Sequence, residues 1–262
     1  MPIMLQRIKK QLRNLLPERT FRSWRNLYVK FASRLQCNNL RRLAELHGTD
    51  KIFGHNYIDV YEKHFRELRK QPITFLEIGV GGYDDPQAGG ESMRMWKNYF
   101  VNGRIHAIDI FDKAPHQQDR IRIYKGSQAD RAFLENVHHE TGDFDHIIDD
   151  GSHLNEHIIT SFKILFPKLK TGGIYAVEDI QTSYWPSYGG KQEVGVEGTA
   201  MSFFRKLADG LNHMEYLLPD YKPTYHDCNI LSLHFYHNMV IVHKGQNTAK
   251  SNLVSDGILQ PH

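Results

Sequence analysis

The chain has little cysteine, little net charge and no long apolar run. Cys37 and Cys228 are the only cysteines in 262 residues. Two cysteines build neither a disulfide framework nor a multi-cysteine zinc site, and a reducing cytoplasm is the expected compartment. No apolar stretch approaches the roughly 20 residues of a membrane span. The N-terminus is basic, but no continuous apolar stretch or small-residue cleavage site follows it as in a secretory signal. Lys and Arg total 33 against 30 Asp and Glu, a net charge of +3, too small to argue for a nucleic-acid partner. Internal repeats and low-complexity tracts are absent. The composition is that of a globular protein, sized for one large domain or one domain with an appendage.

What is present divides unevenly. Residues 1–35 carry nine basic side chains against one acid, Glu18. Met4, Leu5, Ile8, Leu12, Leu15 and Leu16 recur at helical spacing, which predicts a basic amphipathic helix up to Pro17; a second helix is expected from about Phe21 to Leu35. The apolar face is moderate. Residues 1–36 are therefore expected to pack on their own domain or on a second subunit, ahead of contact with a membrane surface. Residues 37–72 read as a helical cap. Leu40, Leu43, Ala44 and Leu46 form a stripe, Gly48-Thr49-Asp50-Lys51 breaks it, and Tyr57 to Leu68 resumes it. His47, Thr49, Asp50 and Lys51 can face a ligand, though an ordinary turn needs none.

From Ile73 to about residue 245 strands alternate with helices. Ile73–Val80, Arg104–Ile110, Arg120–Tyr124, Phe144–Ile148 and Ile174–Val177 read as strands. Glu91–Phe100, Asp130–Glu140, Leu154–Leu169 and Thr199–Leu211 read as helices. This rhythm predicts a Rossmann-like, doubly wound α/β sheet of about seven strands. Ile230–Tyr236 and Met239–His243 are joined so tightly that they must form an antiparallel hairpin closing a mostly parallel sheet. Residues 181–198 break the rhythm with a long aromatic, glycine-rich loop, the kind that carries function at the carboxyl end of a strand. Residues 246–262 read as a loose tail.

Two strands end in acids. Ile147-Ile148-Asp149-Asp150-Gly151-Ser152-His153 runs from a buried strand into two carboxylates, a turn and an imidazole. Val177-Glu178-Asp179 is the second such end. Adjacent parallel strands would bring these tips together, where the carboxylates repel unless a cation sits between them. Leu76-Glu77-Ile78-Gly79-Val80-Gly81-Gly82 forms a glycine turn between strand and helix, suited to close approach of a ligand to the backbone. Asp84 stands where a dinucleotide fingerprint needs its third glycine. The acidic-x-G-x-G-x-G spacing of S-adenosylmethionine enzymes is met in part, because Gly82 comes one residue early. Asp109 ends the next strand, where a carboxylate can accept ribose hydroxyls. Ser127 and Gln128 follow the third, where polar groups can read adenine. Three such features at successive strand ends lie on the side where open α/β sheets bind ligands.

With these residues in hand the chain resembles a class I S-adenosylmethionine-dependent methyltransferase. More narrowly it is similar to the metal-dependent sugar O-methyltransferases of macrolide and tetracenomycin biosynthesis, the mycinamicin 2''-O-methyltransferase group. Residues 76–83, 90–97, 147–153, 177–179, 184–186 and 233–238 carry the likeness, which spans about residues 40–245. The resemblance implies that Asp150, Glu178 and Asp179 hold Mg2+ and that His153 is the general base. It implies that Glu77, Gly79, Gly81, Asp109 and Gln128 line the cofactor site, with Ser127 beside them; Asp149 could serve cofactor or metal. Some relatives carry a longer N-terminal oligomerisation domain for which 262 residues leave no room, so the expected homo-oligomer has no assigned form.

These residues suit methyl transfer. An alcohol is a poor nucleophile, and a hard divalent cation lowers its pKa and fixes its position. His153, three residues after Asp150, can take the proton. Tyr184, Trp185 and Tyr188 can stack on a sugar face from a loop over the site. The expected activity is Mg2+-dependent O-methylation of a sugar hydroxyl on a glycosylated small molecule or glycan. The competing readings are a catechol or phenol acceptor and, from another class, a nicotinamide-dependent oxidoreductase. His138, His139 and His157 have no metal-ligand company at useful spacing. Tyr236 and His237 are expected to pack the hairpin.

Overall fold

The computed structural model describes residues 17–251. The expected helix before Pro17 and the tail from residue 252 lie outside these. Seven strands form one sheet: β1 Thr74–Ile78, β2 Arg104–Asp109, β3 Ile121–Lys125, β4 Phe144–Asp149, β5 Leu169–Val177, β6 Ile230–Tyr236 and β7 Met239–Lys244. Their spatial order is β3-β2-β1-β4-β5-β7-β6. The first five are parallel, and β7 runs antiparallel to both β5 and β6. The tight 236–239 connection dictates that reversal, as the sequence predicts. The order reverses between β1 and β4, which places a crevice at their carboxyl ends.

Helices cover both faces. On one lie α2 Leu40–His47, α3 Asp50–Phe53, α4 Ile58–Phe65 and α5 Glu91–Tyr99, preceded by α1 Glu18–Leu35. Tyr61, Phe65, Trp96, Tyr99 and Phe100 pack there against Phe75, Ile105 and Ile148. The cap residues 37–72 thus share a core with the strands. On the other face α6 Arg131–Thr141, α7 Asn155–Leu165, α8 Ala200–Asp209 and α9 Tyr225–Asn229 bury Leu134, Ile158, Phe162 and Phe204 against Leu76, Ile147, Tyr175 and Val242. Both faces of β1 are buried, which is why its residues read as a continuous apolar run.

Local chemistry sets the ends. Asn39, Asp130 and Thr199 cap α2, α6 and α8 by accepting from backbone N–H groups of the first turn, and Gly48 closes α2 in the left-handed region, φ 78°. The expected helix 154–169 stops at Leu165, because Pro167 cannot donate the next helical bond. Thr171-Gly172-Gly173 belongs to β5 rather than to a helix stop: pairing jumps from Phe144–Leu169 to His146–Ile174, an irregularity accommodated by Gly172 at φ 85°. The 181–198 loop contains two short 3-10 turns, 180–184 and 186–188. Asn155 ties it down, donating to the Thr182 and Tyr188 carbonyls and accepting from Ala200 N. Residues 246–251 are anchored too, since Asn247 Nδ2 donates to the Leu211 and Asp227 carbonyls.

Candidate active site

A cavity of about 800 Å3 opens at the carboxyl ends of β1, β2, β4 and β5. The glycine turn after β1 forms one wall. Gly79 sits at φ 98°, and a Cβ there would stand 2.1 Å from the Asp150 carbonyl oxygen. Only glycine lets the ends of β1 and β4 approach this closely. Asp109 orders the wall: Oδ2 accepts from Val80 N at 2.9 Å and Oδ1 from Phe111 N at 2.8 Å. Gln128 braces the β4 loop, donating through Nε2 to Asp149 at 3.0 Å and accepting at Oε1 from Ser152 N at 2.7 Å. Gly79, Gly81, Asp109, Ser127 and Gln128 all line the cavity.

Beside the glycine turn the cavity is lined by acids. Asp150, His153 and Asp179 each offer one ligand atom, and these atoms lie within 4.8 Å of one another. His153 Nε2 is 3.7 Å from Asp179 Oδ2. Both residues hold left-handed backbone, His153 at φ 57° and Asp179 at φ 53°. A non-glycine residue there costs on the order of 1 kcal/mol, and such strain concentrates at functional sites. Tyr57 Oη donates to Asp179 Oδ1 at 2.6 Å. Burial alone would raise the Asp179 pKa; the Tyr57 hydroxyl and the nearby His153 and His55 overcome it and hold the carboxyl below its ordinary range.

Behind this cluster stands Lys51, 1% exposed, at the start of the short helix α3. Its ammonium donates to Asp150 Oδ2 at 2.6 Å and Glu178 Oε1 at 2.7 Å, and lies 3.3 Å from Glu77 Oε1. Tyr61 Oη also donates to Glu178 Oε1. Burial disfavours the charged lysine, but the three carboxylates overcome this and hold its pKa well above the usual range. Burial first, then Asp150, pushes Glu178 well above the ordinary carboxylate range despite Lys51. Glu77, raised chiefly by burial, reaches about 7. Glu178 and Glu77 are thus pushed toward their neutral forms, and a further positive charge on the cavity side would favour their ionised forms. The hard oxygens of Asp150 and Asp179, with Glu178 at the cavity wall, fit a divalent cation of the magnesium type.

Most expected site residues therefore meet in one place; three do not reach the cavity. Glu77 is fully buried behind it, bonded to Ser92 Oγ and facing Lys51. Asp149 is buried beneath it, held by Gln128 and by Ser161 Oγ; burial raises its carboxyl to about 6 against the pull of those donors. Tyr184 is not among the lining residues, whereas Trp185 and Tyr188 are, with ring centroids 5.9 Å apart. Lys51 belongs to the polar group that the sequence allows to face a ligand, whereas Tyr57 and Tyr61, which bond to the acids, were not singled out. The polar break 48–51 was a signal for Lys51, but nothing local tied it to acids 99 and 127 residues away.

No protein-family model matches the chain. The chain is 43% identical over 215 residues to 8-demethyl-8-alpha-L-rhamnosyl tetracenomycin-C 2'-O-methyltransferase of Streptomyces olivaceus, covering 82% of this chain and 57% of that protein. It is 43% identical over 212 residues to mycinamicin VI 2''-O-methyltransferase of Micromonospora griseorubida, covering 80% and 53%. The chain is a homologue of sugar O-methyltransferases. It spans somewhat more than half the length of these relatives. A solved structure of the MycE methyltransferase of the mycinamycin pathway, in complex with Mg and SAH, superposes with a TM-score of 0.81 at 42% identity, over 83% of this chain and 57% of that one. Another, which also holds mycinamycin VI, gives 0.78 at 43% identity, over 81% and 55%. The seven-stranded sheet described above is thus the methyltransferase fold of these homologues.

Proposed function

We propose that the protein transfers the methyl group of S-adenosylmethionine to a sugar hydroxyl of a glycosylated small molecule, with a divalent cation at Asp150 and Asp179. The observation that carries this is the convergence of Asp150, His153 and Asp179 in a cavity that the Gly79–Gly82 turn also lines. The homologues support the reading: they are named as sugar O-methyltransferases, and the MycE structures hold Mg and SAH.

Each residue then has a task. Gly79 and Gly81 keep the turn open for the backbone to contact the cofactor, and Asp109 retains carboxylate lone pairs toward a ribose. Asp150 and Asp179 would hold the cation, with Glu178 completing the set from the buried side. That cation supplies a Lewis acid that lowers the pKa of the acceptor hydroxyl. His153, fixed beside Asp179, accepts the hydroxyl proton at Nε2. Trp185 and Tyr188 present aromatic faces to the sugar and exclude water at the opening. Lys51, Tyr57 and Tyr61 position the carboxylates and leave their cavity-side oxygens free. Self-association is part of the same reading: α1 exposes Leu27, Phe31 and Leu35 in one row, a strip that a second copy would cover. A monomeric mass in light scattering would remove that part.

The experiment is to offer rhamnosylated acceptors with S-adenosylmethionine and Mg2+ and to analyse the products by mass spectrometry. One added methyl group on the sugar is expected. Tight binding of a nicotinamide cofactor with no affinity for S-adenosylmethionine would sink the reading.

A further inference from the structure

A second cluster of ligating side chains lies away from the cavity, where α4 crosses the β6–β7 hairpin. His64 of α4, His234 of β6 and His243 of β7 form a near-equilateral triangle, with ring centroids 5.0, 5.0 and 5.2 Å apart. One ring nitrogen from each lies within 4.8 Å of the others. All three are half-buried. The hairpin register explains the convergence. His243 pairs with Ser232 and His234 with Ile241, so neighbouring positions on one face of the ribbon carry the two rings toward α4.

We propose that these three histidines form a binding site for a divalent transition metal of the zinc type, separate from the site of the proposed methyl transfer. Imidazole is the ligand that suits zinc, whereas the oxygen-rich cavity suits magnesium.

The surroundings are built for this. A metal-bound histidine needs its second ring nitrogen held by an outer partner, which fixes the tautomer and the ring plane. His64 Nε2 lies 2.9 Å from Tyr236 Oη, so its Nδ1, 2.8 Å from His243 Nε2, faces the centre. His234 Nε2 lies 3.1 Å from Ser232 Oγ, which leaves Nδ1 as the ligand atom. Two of three ligands thus have their outer hydrogen bonds in place. Among the described residues no carboxylate bonds to any of the rings, and Lys63, 3.3 Å from Tyr236 Oη, adds positive charge nearby. Both conditions disfavour imidazolium and keep the rings in the neutral form that binds metal, while the Lys63 charge also works against a bound cation. Burial, then the neighbouring histidines, lowers His64 to about 4, and burial also lowers His234 and His243. Zinc–nitrogen bonds of about 2.0–2.1 Å in a tetrahedron hold nitrogens about 3.3 Å apart. His64 and His243 need therefore separate only slightly, and the fourth position remains for water.

The ion would pin α4 to the hairpin. That hairpin also meets the neighbours of a cavity acid: the Asn238 carbonyl accepts from Ile180 N at 3.1 Å and from Tyr57 Oη at 3.3 Å, and Tyr57 bonds to Asp179. The site is structural in this reading.

The test is to titrate Co2+ into the full chain with Mg2+ in large excess, reading the visible absorption of tetrahedral cobalt, and to compete it with Zn2+. One equivalent with tetrahedral absorption and a raised melting temperature is expected. His243→Gln should lower the affinity at least about tenfold, and Tyr236→Phe, which removes only the outer hydrogen bond, by about 10–100-fold. His153→Ala should leave the cobalt spectrum unchanged, which separates this site from the cavity whether or not the protein methylates a sugar. Absence of the tetrahedral band, or equal affinity in wild type, His243→Gln and Tyr236→Phe, would overturn the proposal.

Discussion

Lys51 ties the cap to the acid cluster through one atom. Replacing it by methionine keeps the length and removes the charge, leaving Glu77 and Glu178 buried without their cation. Removing one partner of a buried ion pair costs about 3–5 kcal/mol. Lys51→Met should therefore shift the urea midpoint well below that of the wild type at neutral pH; an unchanged midpoint would show that the ammonium does not hold the cluster. His153 is the other decisive residue. Loss of a general base costs on the order of 100-fold or more in turnover. His153→Ala should show that loss while S-adenosylmethionine affinity, measured by calorimetry, stays put; undiminished turnover would remove the base. His146 gives a prediction in pH. It is buried among Phe65, Phe75 and Phe100, neither ring nitrogen has a hydrogen-bond partner, and burial lowers its pKa to about 3. Below pH 6.5 the unfolded chain takes up a proton that the folded ring refuses until about pH 3, so stability is lost as pH falls through that window. The loss from this residue at pH 5 is roughly 2 kcal/mol. His146→Phe should flatten the acid limb of a melting-temperature profile, and an equally steep limb in the variant would contradict this origin.

Among the elements, the strands and their tips were legible because burial on both faces writes itself as unbroken apolar runs, and the acids that end β2, β4 and β5 interrupt those runs. Helix starts were legible where Asp130 and Thr199 cap them. Two things were hidden. Pro167 ends α7 before the Thr-Gly-Gly that looks like its stop, because the missing donor acts earlier than the flexible backbone. The roles of Lys51, Tyr57 and Tyr61 depend on where α3 and α4 dock, and no local pattern encodes docking. The same limit applies to Glu77, which reads as a cofactor ligand but is held behind the cavity by Ser92 and Lys51. Gly79 tests the strand ends as a unit. A methyl group there meets the Asp150 carbonyl at 2.1 Å, so Gly79→Ala should disturb the glycine turn and the Asp150 loop together. Loss of S-adenosylmethionine binding is expected in calorimetry, and wild-type affinity in this variant would contradict the close approach.

At the scale of the whole molecule, the sheet brings a glycine turn and an acid cluster into one crevice, and the cap closes the back of the cluster with a lysine. In the proposed reading the cavity side of Asp150 and Asp179 is left to a metal and an acceptor. The central claim is that transfer depends on that cation. The direct measurement is release of S-adenosylhomocysteine in the presence of a rhamnosylated acceptor, before chelation, after chelation and after Mg2+ is restored. The account predicts release that stops on chelation and returns with Mg2+. Equal release in all three conditions would contradict it.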